Sequence, residues 1–365
     1  MTSTNQRLLA LDILRGLTII FMIIVNDPGS WNHVYAPLLH ADWNGLTPTD
    51  YIFPTFLFIM GTSIVLSLTK RSEKASKTNL LKKVVWRAFK IYLVGLFLWL
   101  WPDFDFGEIR WTGVLQRISV VYLLCAFCFL YLSKKQQIIL AVTVLTAYLI
   151  IMCFVPVPGV GIPDLSVPEK NWAHYIDNLY LPGYLWQETW DPEGILSTFP
   201  AMVTGLFGMF AAYLLQRTSD VVKQMNSLFI FATVLLLLGD LTQYIFPLNK
   251  ALWSTSFTLV LGGISSIALA SCIYLCDYKN YGHRFKMAQA FGVNSIFAYT
   301  LAGMCTMIFY SSALWGISLS TTFVEFALNN GLSAKLFSFL YALFYVLVIW
   351  IPVNILSKRK IYIKL

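Results

Sequence analysis

Charged side chains are scarce in this chain. Asp, Glu, Lys and Arg make up 12% of its 365 residues, against about 25% in ordinary soluble domains. Hydrophobic residues account for 58%, and the mean hydropathy is +0.67. This composition excludes an ordinary water-soluble globule and predicts an integral membrane protein.

Several motifs that mark common enzyme classes are also missing. The sequence has no HExxH, Walker loop, GxSxG or GxGxxG after a strand, which weakens hydrolase, ATPase and dehydrogenase interpretations. Its six cysteines all lie in apolar runs, where a thiol behaves as a small hydrophobe. Cys125 and Cys128 have CxxC spacing without a second ligand pair, so no metal site is expected.

Apolar runs long enough to span a bilayer as helices are present instead. They predict an all-α, polytopic bundle of about ten transmembrane helices, with residues 1–365 forming a single domain. No internal repeat is visible. The predicted spans lie near 9–26, 51–69, 84–101, 113–133, 137–155, 194–216, 227–246, 251–276, 287–310 and 335–356.

The net charge of +8 reflects membrane orientation and not nucleic-acid binding. When the connections are assigned to alternate sides, 21 of the 26 Lys and Arg residues, Arg7 and Lys364 among them, fall on one side. By the positive-inside rule both termini are cytoplasmic. The first apolar run contains Asp12 and Arg15 and lacks a cleavage site, so it is not expected to be a cleavable signal peptide.

The long connection 156–193 is rich in proline and aromatic residues. Connections of this length are more often functional or disordered than neutral, and the aromatic content favours an ordered segment. We expect it to form a lid over the non-cytoplasmic ends of the helices.

The turn-rich segment 26–58 lies on that same side and carries the sharpest candidates for chemistry. His40 can accept and return a proton near neutrality, although a lone histidine is more often simply exposed at an interface. Asp50 either caps the following helix or orients His40, and these roles are compatible. Asn26 either donates to an oxyanion or bonds a neighbouring helix.

Ionisable side chains inside the apolar runs are a second group of candidates. Asp12 and Arg15 are spaced to pair on one helix face, while Arg87, Gln116 and Arg117 add polar or positive groups near helix ends. Asp240 lies deep in a predicted span and needs a polar partner, which the sequence does not identify.

Six stretches of the sequence resemble the heparan-α-glucosaminide N-acetyltransferase family. They occur in the same order as in that family and together extend over nearly the whole chain. The pattern HxxWNGLTxxDxxFP together with DPEG is highly specific, whereas LDxxRG is shared more loosely with other membrane acyltransferases. The stretches are LDILRGLTIIFMIIVN, HADWNGLTPTDYIFPTFLFIMGTSI, GVLQRISVVYLL, DPEGILST, NKALWSTSF and FGVNSIFAYT.

The resemblance implies a bacterial inner-membrane enzyme that moves an acetyl group from cytoplasmic acetyl-CoA to a glucosamine-type sugar or glycan on the far side. It places catalysis at His40, Asn26 and Asp50. Acceptor binding would involve Asp27, Trp43 and Asn44. Residues proposed to bind CoA are Arg15, Arg87, Gln116, Arg117, Asn294 and Ser295. Val25-Asn26-Asp27-Pro28-Gly29 departs from the VNYGG of the lysosomal enzyme, so the acceptor surface differs.

Other interpretations stay open at this point. A secondary transporter for a sugar or amino sugar would use Asp12, Arg15 and Asp240 as coupling groups, but the inverted repeat typical of such proteins is not visible. A non-catalytic scaffold would retain the fold without binding CoA. The sequence also leaves open the acceptor's identity, a covalent acetyl-histidine and a homodimer.

Overall fold

The computed structural model describes residues 8–363, and every regular element among them is helical. This confirms the all-α prediction; Arg7 and Lys364, used above for the orientation, lie outside the described residues. The α-helices are α1 (Leu9–Asn26), α2 (Ile52–Ser72), α3 (Lys77–Leu100), α4 (Val114–Tyr131), α5 (Lys134–Phe154), α6 (Trp172–Tyr180), α7 (Thr198–Leu215), α8 (Val221–Gln243), α9 (Thr255–Ile273), α10 (Lys286–Val293), α11 (Ser295–Phe309), α12 (Leu319–Asn329) and α13 (Ala334–Lys358).

Within residues 8–363, eight helices are long and apolar enough to cross a membrane, and a ninth span results if α10 and α11 count as one. The eight are α1, α2, α4, α5, α7, α8, α9 and α13, with short helical turns extending α2 and α9. The predicted polytopic bundle is thus confirmed. The cytoplasmic location of both termini stays a prediction.

Helix α3 corresponds to the predicted span 84–101 but begins earlier, at Lys77. Ser76 caps it by accepting from the backbone N–H of Asn79 at 3.3 Å. The first half of α3 carries Lys82, Lys83 and Arg87. This concentration of positive charge explains why α3 is not among the eight apolar candidates.

The predicted span 287–310 is a broken helix, with α10 and α11 meeting at an angle of 72°. Asn294 lies at the break, with φ −123° and ψ 37° outside the helical region. Its buried amide donates to the Ile361 carbonyl at 3.2 Å, and its side-chain oxygen accepts from the Ile363 N–H at 2.9 Å. Asn294 therefore joins the break to the segment after α13.

Helices α2 and α7 approach each other closely because small residues lie at their contact. A Cβ atom added at Gly61 would lie 1.9 Å from the carbonyl oxygen of Gly205. Thr62 also donates across this contact to the Gly208 carbonyl at 3.0 Å. Small residues and interhelical hydrogen bonds are the usual means of packing helices inside a membrane.

The outward faces of α5 and α8 are apolar, as expected of surfaces in contact with lipid. Exposed side chains include Ile139 and Val142 on α5 and Leu237 on α8. Asp240 is the exception: it lies in the last turn of α8 and not deep in the span, is exposed, and accepts from the side chain of Gln243 at 2.5 Å. Gln243 is thus a polar partner that the sequence alone did not identify.

The connection 156–193 contains α6 and packs onto the segment that carries His40. The Trp43 indole donates to the Leu165 carbonyl at 2.8 Å, and its ring meets the Trp190 ring edge to face at 5.4 Å. The ordered packing agrees with the aromatic content of the connection. Its role as a lid stays a prediction.

Candidate active site

His40 and Asp50 are in direct contact, with 2.7 Å between Nδ1 and Oδ1. Asp50 is only 1% exposed. Its other oxygen, Oδ2, accepts from the backbone N–H of Thr47 at 3.0 Å and of Ala41 at 3.2 Å. The Thr47 hydroxyl also donates to it at 3.0 Å. Asp50 therefore orients His40 and caps the helical turn Pro48–Tyr51 that leads into α2.

This contact determines which ring nitrogen of His40 is available for chemistry. An ionised carboxylate only accepts hydrogen bonds, so the proton between the two groups belongs to Nδ1. The lone pair of the neutral ring then lies on Nε2. A histidine held in this tautomer by a carboxylate is suited to general-base catalysis.

Lys250 completes a three-residue cluster with His40 and Asp50. Its Nζ lies 3.0 Å from both ring nitrogens of His40 and 3.9 Å from Asp50 Oδ1. Burial lowers the pKa of the Lys250 ammonium, an effect that the carboxylates of Glu193 and Asp50 oppose. The resting site thus places a cation against the base and its carboxylate.

The backbone that carries Lys250 is held by a dense set of hydrogen bonds. The Asn249 side chain accepts from the Leu252 N–H at 2.8 Å and donates to the Asn44 side chain at 3.1 Å. The Ser254 N–H donates to the Asn249 carbonyl at 3.0 Å, and the Asn249 N–H donates to the Ser254 hydroxyl at 3.1 Å. These bonds connect the Lys250 turn to the segment of His40.

A second ordered segment, Asp191 to Gly194, presents Glu193 to the site. Arg110 donates to both carboxylate oxygens of Asp191 at 2.7 Å and to Glu193 Oε2 at 2.6 Å. The Asp177 carboxylate accepts from the Ile195 N–H at 2.9 Å. Burial raises the pKa of Asp177 to about 6, while its carboxylate partners raise the pKa of Arg110 against the effect of burial.

A cavity of about 1750 Å³ connects this cluster with a strongly basic opening. Asn26, His40, Glu193 and Lys250 line one end of it. The basic opening is lined by Lys70, Arg71, Lys74, Lys83 and Arg87. Since α2 begins beside Asp50 and ends beside Lys70, the cavity follows its 21 residues, a length of about 30 Å and comparable to a hydrocarbon core.

A family model described as the catalytic region of heparan-alpha-glucosaminide N-acetyltransferase matches residues 7–250. The heparan-alpha-glucosaminide N-acetyltransferase of Mus musculus is 30% identical over 81% of this chain. This chain belongs to that family. The protein of the same name from Homo sapiens is 29% identical over 82% of the chain, and in both cases the match covers 53% of the relative's length.

The family match includes the whole cluster and most of the cavity. His40, Asp50 and Glu193 lie well within it, and Lys250 is its last residue. Glu193 and Lys250 belong to the DPEG and NKALWSTSF stretches that carry the family resemblance, yet neither was a candidate from the sequence. Their presence in those stretches was the available signal.

The structure divides the residues predicted to bind CoA into two groups. Arg15, Arg87 and Ser295 line the cavity. Arg15 donates to Asp12 at 3.0 Å, as its spacing indicated, and to Ser63 at 2.7 Å. Arg87 lies over the ring of Tyr122 at 5.2 Å, and Tyr122 also lines the cavity.

Gln116, Arg117 and Asn294 are buried and do not line the cavity. Arg117 donates to the Gly194 carbonyl at 3.0 Å and to the Ser197 hydroxyl at 2.5 Å, which supports the segment that carries Glu193. Asn294 binds the segment after α13, as described above. Their proposed contact with CoA stays a prediction.

The residues predicted to bind the acceptor also fall into two groups, with Trp43 and Asn44 in one and Asp27 in the other. Trp43 and Asn44 both donate to the Leu165 carbonyl, at 2.8 and 3.2 Å, and so join the His40 segment to the long connection. Asp27 follows Asn26, and burial raises the pKa of its carboxyl to about 7.

Among residues 8–363, His, Cys, Asp and Glu side chains form no group of three or more suited to a metal ion.

Proposed function

We propose that this chain is a transmembrane N-acetyltransferase that moves the acetyl group of acetyl-CoA to the amine of a glucosamine-type sugar. The observation that carries the proposal is a continuous cavity that joins a basic opening to the His40–Asp50 pair. Membership in the N-acetyltransferase family supports the reaction class.

The donor enters from the basic opening in this proposal. Lysine and arginine are the side chains that bind phosphate groups best, and CoA carries its phosphates on the nucleotide. Lys83 and Arg87 would hold the nucleotide on the cytoplasmic side of a bacterial inner membrane. The pantetheine arm would extend along α2 and bring the thioester to the opposite end.

The acceptor binds at the His40 end, on the non-cytoplasmic side. His40 Nε2 takes a proton from the sugar amine as the amine nitrogen attacks the thioester carbonyl carbon. The carbon–sulfur bond then breaks, and the departing CoA thiolate takes the proton from the imidazolium. The products are an N-acetylated sugar and the CoA thiol. Asn26, which lines the cavity, would donate to the oxyanion.

Purified protein in liposomes tests this proposal. With acetyl-CoA on one side and a glucosamine-ended oligosaccharide on the other, mass spectrometry should detect the acetylated sugar. His40→Ala should abolish the product, whereas His33→Ala should retain it, because His33 lies in the same connection but does not line the cavity.

Two results would contradict the proposal. Turnover by His40→Ala at the wild-type rate would remove His40 from the mechanism. Sugar counterflow into liposomes without acetyl-CoA and without acetylation would favour the transporter instead.

Acetyl recovered on His40 in the absence of acceptor would show that transfer proceeds through an acetyl-histidine.

A further inference from the structure

Lys250 has no role in the reaction described so far, although it touches the proposed base. Its Nζ lies 3.0 Å from His40 Nε2 inside the cavity. The side chain is 23% exposed. A cation that only stabilised the fold would not need to face the cavity at its reactive end.

Nζ of Lys250 lies 3.0 Å from both ring nitrogens of His40, and only a ring nitrogen with a free lone pair can accept a hydrogen bond from the ammonium. Because Nδ1–H faces Asp50, the Lys250 ammonium donates to Nε2 in the resting state. When Nε2 receives the proton of the acceptor amine, that hydrogen bond is lost and two cations face each other. Like charges at about this distance repel each other.

The same proton transfer creates a new anion beside the two cations. As the amine nitrogen forms its bond to the carbonyl carbon, the carbonyl oxygen becomes an oxyanion. The amine must lie within about 3.2 Å of Nε2 to give up its proton, so the oxyanion forms within reach of the Lys250 tip. Asp50 remains paired with the imidazolium and Glu193 with Arg110, so the oxyanion becomes the available partner for Lys250.

We infer that Lys250 is a catalytic residue whose ammonium leaves Nε2 of His40 and donates to the oxyanion of the tetrahedral intermediate. The inference rests on the proposed acetyl transfer. The hydrogen-bonded turn at Asn249 to Ser254 keeps the backbone in place, so only the end of the side chain moves. Glu193 and Asp50 are the carboxylates that act on Lys250, and Arg117 is the neighbouring cation.

An interaction made only at this stage raises kcat and not ground-state affinity. Lys250→Met should therefore lower kcat by about 100-fold to 1000-fold, the usual effect of removing an oxyanion donor. The Kd for acetyl-CoA, measured by calorimetry, should change by less than about threefold. Lys250→Arg should recover much of kcat, because it retains a cationic donor.

The matched control is Lys170→Met, which removes an exposed lysine that does not line the cavity and should keep kcat within about twofold. Thermal unfolding of each variant reports whether the fold is retained. The inference is overturned if Lys250→Met retains more than a third of kcat, or if folded Lys250→Met loses acetyl-CoA binding in parallel with turnover. If the wild-type chain transfers no acetyl group, the proposed function is overturned, and the inference about Lys250 is overturned with it.

Discussion

Asp50 combines two tasks that usually belong to separate residues. One oxygen holds His40 at 2.7 Å, and the other accepts from Thr47 and Ala41. The second set of bonds fixes the carboxylate before any substrate arrives. Because Asp50 is held by the chain on both sides, it can hold the imidazole in one tautomer.

Replacing Asp50 with Asn should lower kcat by about 100-fold or more, a typical contribution of correctly placed acid–base groups. The amide has one oxygen in place of two and would favour the other tautomer of His40, with the proton on Nε2. Steady-state acetylation assays measure the effect.

Thr47→Ala is the matched control for the capping role of Asp50. It removes the hydroxyl that donates to Asp50 Oδ2 but leaves the contact with His40. We expect a loss of about 0.5–2 kcal/mol in stability with kcat changed only slightly. An equal loss of kcat in both variants would contradict the orienting role of Asp50.

Asp27 gives a separate prediction on pH and stability. Its pKa is raised by burial to about 7, so between about pH 4 and pH 7 the folded state binds a proton that the unfolded chain releases. Wild-type stability should fall as pH rises through this window and level off above it. Asp27→Asn lacks this titration.

The stability of Asp27→Asn relative to wild type should therefore rise by about 2–3 kcal/mol between pH 5 and pH 8, at about 1.4 kcal/mol for each unit of pKa shift. Thermal unfolding in detergent across this range measures the difference. A constant difference at every pH would show that Asp27 titrates normally in the folded protein.

At the scale of helices, the approach of α1 to α10 shapes the wall of the cavity. A Cβ atom added at Gly292 would lie 1.8 Å from the carbonyl oxygen of Asp12. Arg15 also donates to the Gly292 carbonyl at 3.1 Å. The space too small for a Cβ atom and the Arg15 hydrogen bond both show that the backbones of α1 and α10 lie close together.

Gly292→Ala should therefore destabilise the protein by at least about 1–3 kcal/mol, because α1 must move away from α10. Gly303→Ala on α11 is the control, since its Cβ would meet only the flexible end of Leu98 at 3.2 Å. Thermal unfolding compares the two variants. Equal stability would mean that α1 and α10 separate without cost.

The break between α10 and α11 shows the limit of hydropathy as a guide to helices. The run 287–310 is mostly apolar and has no charged residue and no proline, so it predicts one continuous span. Asn294 breaks it because its side chain binds backbone groups of residues 361 and 363. A contact between segments so far apart in sequence leaves no signal in the local hydropathy.

At the scale of the whole molecule, the cavity joins two regions of opposite character. Its basic opening would suit the phosphates of the proposed donor, CoA, and its other end holds the His40 cluster. A comparison of Lys82 with Lys83 tests whether the basic opening binds CoA. Both are exposed lysines on α3, but only Lys83 lines the cavity.

Lys83→Gln should raise KM for acetyl-CoA by about threefold to tenfold, the equivalent of up to about 1.4 kcal/mol. KM for the sugar and kcat should stay unchanged. Lys82→Gln should leave all three constants near wild type. The effect of Lys83→Gln should shrink at high salt because exposed charges are screened, and equal effects of the two variants would contradict a specific CoA site.

The sequence by itself determined the helical membrane architecture, because a span of about 20 apolar residues must satisfy its own backbone. It also identified His40 and Asp50, which lie ten residues apart in one turn-rich segment. Only the tertiary structure brought Lys250 to His40 across 210 residues and placed the buried Arg117 against Gly194 and Ser197, outside the cavity lining. Hydropathy and spacing describe local preferences, whereas the position of each side chain in the site depends on how distant helices pack.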